Sequence, residues 1–349
     1  MRGTRWRVRS IWDEIFSIPG RVLAFLFGVL LFVVPVWVKD PYVLRVVVLA
    51  ATFSMYAASW DLLAGYAGQV SLGHALFFGV GAYGAALLNL RLGWGPAVSI
   101  PLGAVAALLA GLVVGIPCLR LRGPYLALAT LAFPLLLLGV VVSLSRYTGG
   151  ELGLFRISRL ASSRLEEYYI VVGLAVAVLL VLWGVTRSSF GLVLQAIRED
   201  EVATRALGID TTRYKLQAYS LAGLVGGLAG ALHAHFLRTA GPSTLDMFMS
   251  FQPVIWTMFG GMGTIYGPVV GVFLLFPAME YLRAFSEYRL LVFALVVLVF
   301  LRFLPQGLAQ WAREKLEFDC PRCRTKNAFF RRVCRACRAS LRQIPHLQT

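Results

Sequence analysis

Long apolar runs, separated by short polar or glycine-bearing connections, fill the chain from Val22 to Leu304. They lie at about 22–38, 42–60, 74–90, 97–117, 124–145, 167–186, 215–237, 244–260, 265–282 and 289–304. About 20 apolar residues of helix cross a bilayer core of about 30 Å. The pattern predicts an all-α polytopic membrane protein with about ten transmembrane helices. An even number of crossings puts both termini on one side.

Charge orients the pattern. The first ten residues, MRGTRWRVRS, carry Arg2, Arg5, Arg7 and Arg9 and no acid. The apolar run that follows is too long for a signal-peptide core and lacks a small-x-small cleavage site. It reads as a retained first span with the N-terminus inside. The connections 61–73, 119–123, 187–214 and 261–264 and the tail then face the cytoplasm. Arg120 and Arg122 sit in the second, and Arg187, Arg198, Arg205 and Arg213 in the third. This is the positive-inside bias of a bacterial or archaeal plasma membrane protein, with both termini cytoplasmic. The outer 146–166 segment carries Arg146, Arg156, Arg159 and Arg164, but long loops follow the bias less strictly.

Composition excludes the other broad classes. Of 349 residues, 58% are hydrophobic and 14% charged. A soluble domain has about 25% charged residues. The net charge of +16 is uneven: ten basic and three acidic residues from Gln310 to Thr349 give +7. The four N-terminal arginines give +4, so 16 − 7 − 4 leaves +5 for the rest. The basic excess belongs to the ends, and nucleic acid is the weaker explanation for it.

Two glycine clusters break the apolar pattern. The first spans GYAGQVSLGHALFFGVGAYG and includes Gly65, Gly68, Gln69, Ser71, Gly73 and His74. The second holds Gly260, Gly261, Gly263 and Gly267. Small residues let helices pack closely in lipid. Alternatively, irregular backbone at membrane depth lines a pathway. The two readings are compatible. Ionisable residues within the spans are few: Arg45 snorkels, and Asp61 is expected at the inner interface. His233 and His235, two apart on a helix, face different sides and share no metal. This scarcity argues against an ion-coupled transporter, and no catalytic cluster appears among the spans.

Residues 187–214 form the largest inner connection. Its centre, from about Gly191 to Leu207, is predicted as one amphipathic helix, with Gly208 placed as its C-cap. Such a segment suits docking onto a cytoplasmic partner.

Six stretches occur together in order: GYAGQVSLGHALFFGVGAYGAALL, LRLRGPYLALATLAF, TGGELGL, GLVLQAIREDEVATRALGI, LAGLVGGLAGALHAHF and MFGGMGTIYGPVVG. Across residues 22–305 they resemble the branched-chain amino-acid ABC transporter permeases, specifically the M-type subunit. The resemblance implies a type II ABC importer permease domain. Its implied partners are a paralogous H-type permease, two cytoplasmic ATPase subunits and an extracytoplasmic solute-binding protein. It also implies that Arg198, Glu199, Asp200, Glu201, Ala203 and Gly208 belong to the segment that seats on the ATPase. The family more often has an amide where this chain has Asp61. No phosphate-binding loop GxxxxGK[ST] occurs, so ATP chemistry is expected in the partner. A urea or short-amide permease of the same family is the nearest alternative, and an ion-coupled secondary transporter the alternative from another class.

Residues 306–349 form a distinct basic tail. Cys320-x-x-Cys323 and Cys334-x-x-Cys337 are ten residues apart. Two such pairs match a tetrathiolate Zn2+ site, and a reducing cytoplasm disfavours disulfides. The tail resembles a short zinc ribbon appended to the permease. Docking on an ATPase and contact with anionic lipid are both open roles. The domain organisation is therefore a basic segment 1–21, a permease domain 22–305 and a metal-binding tail 306–349.

Overall fold

The structure is a computed structural model that describes residues 19–118, 121, 123–282, 291–292, 294–295, 298–299, 302, 307–309, 311, 317–320, 323, 326–328, 334, 337 and 340. The N-terminal arginines, Arg120 and Arg122 lie outside them. In chain order the elements begin with α1 (Pro19–Trp37) and α2 (Pro41–Asp61), which runs into a π-helical turn, Leu62–Tyr66. Next come α3 (Ala75–Leu92), α4 (Pro96–Cys118), α5 (Pro124–Ser143), the short α6 (Ser145–Thr148) and β1 (Leu154–Phe155). Then follow α7 (Arg164–Arg187), α8 (Ser189–Glu199), α9 (Glu201–Ala206), α10 (Thr211–Leu237) and β2 (Thr239–Ala240). A 3₁₀ turn, Pro242–Leu245, leads into α11 (Met247–Gly260) and α12 (Tyr266–Tyr281), and the tail holds β3 (Glu317–Asp319) and β4 (Lys326–Ala328).

The centre is α2. Asp40 caps its start by accepting from the Tyr42 amide at 2.9 Å, with Pro41 in the first turn. Every residue from Val48 to Asp61 is buried. Its hydroxyls are satisfied within the helix: Thr52 donates to the Val48 carbonyl at 2.9 Å and Ser54 to the Ala50 carbonyl at 2.8 Å. Around it pack α12, α10, α7 and α11, and α3, α4 and α10 form the tightest packing in the molecule with one another. A Cβ on Gly230 would collide with the Phe78 carbonyl, and one on Gly81 with that of Gly227. The close helix packing that small residues allow is therefore present at this crossing. By contrast, α5 and α7 turn apolar side chains outward, among them Leu128, Leu136, Leu180 and Val181. Such a shell needs lipid or another apolar surface to cover it.

Among the described residues, six helices are long and apolar enough to cross a membrane: Pro41–Tyr66, Ala75–Leu92, Pro96–Cys118, Pro124–Ser143, Arg164–Arg187 and Thr211–Leu237. The predicted spans at 244–260 and 265–282 are shorter than expected. Of these, α11 has 14 residues, about 21 Å of helix, and α12 has 16, about 24 Å. Asp246 starts α11 late by capping the Met247 amide at 2.7 Å, and Gly261 ends it at φ +117°. The tenth predicted span, 289–304, lies partly outside the described residues; 291–292, 294–295, 298–299 and 302 are helical.

The 27 residues of α10 extend about 40 Å, and its two ends mark two faces of the molecule. At its first end lie the π turn, α8, α9 and the turn after α11; Gly307 packs there against Gly261. At its last end β2 pairs antiparallel with β1, Leu154 opposite Ala240. Asn89 fastens that face by donating to Ser158 Oγ and to the Trp94 carbonyl, each at 2.7 Å.

Candidate functional site

Three chain segments meet at the first face. The π turn that closes α2 carries its bonds one residue further than an α-helix, and the Ala67 amide donates to the Leu62 carbonyl at 3.3 Å. The Gly65 carbonyl instead accepts from Arg198 Nη1 of α8. Gly68, at φ +67°, lies on the same arginine; a Cβ there would stand 3.1 Å from Arg198 Cγ. Asp61 Oδ1 accepts from the Gly263 amide at 2.7 Å. Asp61 is fully buried at this face, with the Gly263 turn closed over it.

The segment between α2 and α3 is held from several sides. Trp60 Nε1 donates to the Ser71 carbonyl at 2.7 Å, and the Leu72 amide donates to Thr130 Oγ1 at 3.0 Å. Gly73 sits against the Thr130 carbonyl, too close for a side chain. Ser59 Oγ lies 2.7 Å from the Tyr56 carbonyl and 2.7 Å from His74 Nε2. His74 Nδ1 and Gln69 Oε1 are buried with no hydrogen-bond partner among the described residues. His233 packs between Phe53 and Phe78, whereas His235 bonds Ser99 Oγ and the Ser158 carbonyl. The two do face different sides.

The amphipathic segment is two helices, not one. Asp200, at φ −152°, breaks it and caps α9 by accepting from the Val202 and Ala203 amides at 2.8 and 3.0 Å. Glu201 turns inward: Oε2 pairs with Lys215 of α10 at 2.7 Å and Oε1 with Arg205 at 2.9 Å. Gly208 ends the unit at φ +84°, as its placement suggested. Outward, the unit presents Leu207, Val202 and Leu192, exposed by 82%, 65% and 64%. Glu199, Ala203 and Gly208 share that exposed side, while Arg198 and Glu201 send their charged ends toward the helix bundle.

In the tail, the sulfurs of Cys320, Cys323, Cys334 and Cys337 all lie within 4.8 Å of one another. Cys320 and Cys337 are 3.6 Å apart, and Cys323 and Cys334 3.5 Å. A tetrahedral ion about 2.3 Å from each sulfur requires sulfur separations of about 3.8 Å. The four thiolate-forming groups therefore make a cage of the right size for a metal. The first pair lies in the connection between β3 and β4, which sets Asp319 opposite Lys326.

The structure brings Gly65, Gly68 and Gly263 together with Arg198, and holds Gln69, Ser71, Gly73 and His74 in the segment between the π turn and α3. Gly260 lies apart from these, at the α11–α12 crossing, against the Gly267 carbonyl. Lys215 went unrecognised as a site residue, although a lysine in the first turns of an apolar helix is a signal for a paired acid. Thr264, which donates to the Gly261 carbonyl at 3.0 Å and stiffens that turn, carried no sequence signal.

Comparison with known proteins agrees with this architecture. Residues 42–301 match the family described as the branched-chain amino acid transport system permease component. The high-affinity branched-chain amino acid transport system permease protein LivM of Salmonella typhimurium is 29% identical over 297 residues, covering 77% of this chain and 70% of that protein. LivM of Escherichia coli K12 is 30% identical over 74% of this chain and 67% of its own length. A probable LivM of Methanocaldococcus jannaschii is 25% identical over 67% of this chain and 77% of its own. With the family match spanning most of its length, the chain belongs to the permease components of branched-chain amino acid transport systems.

Proposed function

We propose that this chain is the M-type permease subunit of an ATP-binding-cassette importer for branched-chain amino acids. The observation that carries the reading is the α8–α9 unit. It presents three exposed apolar side chains beyond the helix bundle, while Glu201 and Arg198 tie it to α10 and α2. An ATPase groove that takes Leu192, Val202 and Leu207 would receive a lever already fixed to the spans. The names of the relatives supply the substrate class.

In this reading the first face is cytoplasmic, the chain crosses about ten times, and both termini lie inside. The face with β1 and β2 meets an extracytoplasmic binding protein, and the exposed side of the bundle meets lipid and an H-type paralogue. Residues 22–305 form the permease domain, with 187–214 as its coupling loop. The glycine segments at 65–74 and 260–263 flank the pathway. The chain hydrolyses nothing itself. The four tail cysteines hold a structural Zn2+ as thiolates, and their spacing supports that size of ion.

The test is co-purification and transport. Val202→Asp with Leu207→Asp should abolish ATPase association and ATP-driven leucine uptake, leaving the permease pair intact. Full uptake by that variant, or uptake independent of a working ATPase, would overturn the reading. Competition by urea in place of leucine would reassign the substrate.

A further inference from the structure

We propose that Asp61 and Arg198 are positioning residues that pin the glycine turn Gly261–Thr264 to the end of α2. That would make the turn the first element inside the bundle to move when the coupling unit is displaced. The inference rests on the proposed role of α8 and α9 and names the contact by which their motion enters the spans.

Geometry supplies the argument. Gly263 sits at φ +76° between two tethers. On one side its amide donates to the buried Asp61 carboxylate at 2.7 Å. On the other, a Cβ at this position would stand 3.2 Å from Arg198 Nη1 and 3.5 Å from the Gly65 carbonyl. The turn is stiff: Thr264 Oγ1 donates to the Gly261 carbonyl at 3.0 Å and accepts from the Gly267 amide at 3.2 Å. Gly267, in the first turn of α12, packs on the Gly261 carbonyl too closely for any side chain. A push on this turn therefore reaches α12 without slack. Arg198 of α8 is hydrogen-bonded through its side chain to the π turn of α2. Its stem rests on Gly68. Asp61 Oδ2 has no hydrogen-bond partner among the described residues, and a guanidinium has five N–H donors. Asp61 Oδ2 is thus an open acceptor beside the turn that the arginine already touches.

The chemistry distinguishes the carboxylate's acceptor role from its charge. An amide at position 61 keeps an oxygen for the Gly263 amide; a methyl group does not. The experiment uses the full complex in proteoliposomes and reads radiolabelled leucine taken up per ATP hydrolysed. Asp61→Ala should lower that ratio about fivefold, the scale of one buried hydrogen bond, while hydrolysis continues. Asp61→Asn should restore it to within about twofold, since the bond to Gly263 persists. Arg198→Ala, a change at an exposed position that does not threaten folding, should lower the ratio too. The double variant should be no worse than the poorer single one, because both act on one turn. An unchanged ratio in Asp61→Ala, or losses that multiply in the double variant, would overturn the proposal. So would uptake and hydrolysis falling in proportion with a lowered Tm. If the unmodified complex shows no ATP-driven leucine uptake, the proposed function fails instead. The clamp is then read by hydrogen exchange in the purified chain: faster over 261–266 in Asp61→Ala supports it, and no change refutes it.

Discussion

Glu201→Ala strands the Lys215 ammonium inside the protein. The Lys215 side chain is 4% exposed and sits 2.7 Å from Glu201 Oε2. Removing one partner of a buried pair costs about 3–5 kcal/mol, because the other charge loses both water and its counter-ion. Glu201 retains 17% exposure, which places this pair at the lower end, about 3 kcal/mol. The Arg205 arm of the same carboxylate has a 57% exposed cation and adds less than about 1 kcal/mol. Because the pair ties α9 to α10, the loss should appear as local opening of the coupling unit. At about 1.4 kcal/mol per decade, 3 kcal/mol corresponds to roughly a hundredfold faster exchange of the amides of residues 201–207 in hydrogen–deuterium exchange. Glu201→Leu combined with Lys215→Met removes both charges and should recover most of the protection, as apolar replacements of buried pairs do. Exchange in Glu201→Ala within about threefold of the parent would refute the reasoning, since it would mean that Lys215 finds water without the pair.

Gly230→Val forces a side chain into the Phe78 carbonyl and should abolish assembly, an overpacking penalty above about 3 kcal/mol; Gly139→Ala, with nothing within 4 Å, should leave yield and Tm unchanged in size-exclusion and thermal assays. Cys320→Ser or Cys334→Ser should reduce zinc from about one equivalent to near none by elemental analysis. Chelation should open the tail to proteolysis while leaving the spans intact. Asp200→Ala removes the cap that separates α8 from α9 and should weaken ATPase association by about 1 kcal/mol, roughly fivefold in Kd by surface-immobilised binding.

The sequence reveals what is local. Gly223, Gly227 and Gly230 repeat at helical intervals, which marks a close crossing because only small residues allow two backbones to touch, but not which helices meet there. The paired cysteines reveal their cage through spacing alone. The meeting of Asp61 with Gly263 is not legible, because it joins positions 202 residues apart and depends on how α11 is shortened. Nor is the inward direction of Arg198 and Glu201. A charged run on an amphipathic segment looks solvated until the neighbouring helix shows a buried lysine or an open carbonyl. The break at Asp200 was readable in principle: aspartate followed by Glu201-Val202-Ala203 is a helix start as well as a charged middle. Helix length misled the spans for a related reason, since apolar content continues through the 3₁₀ turn and the glycines that end α11.

The five-residue π turn at the end of α2 has a consequence for chain length. Such a turn is an α-helix with one residue too many, and here it closes the helix, so the Gly65 oxygen is among the last carbonyls, which have no amide ahead of them in their own helix. Deleting a single residue between Leu62 and Tyr66 would heal the helix into regular winding and erase the socket for Arg198 in one step. The alignment of this stretch across variants, rather than the identity of any side chain in it, is therefore the trait that separates a chain able to receive the arginine from one that merely packs beside it.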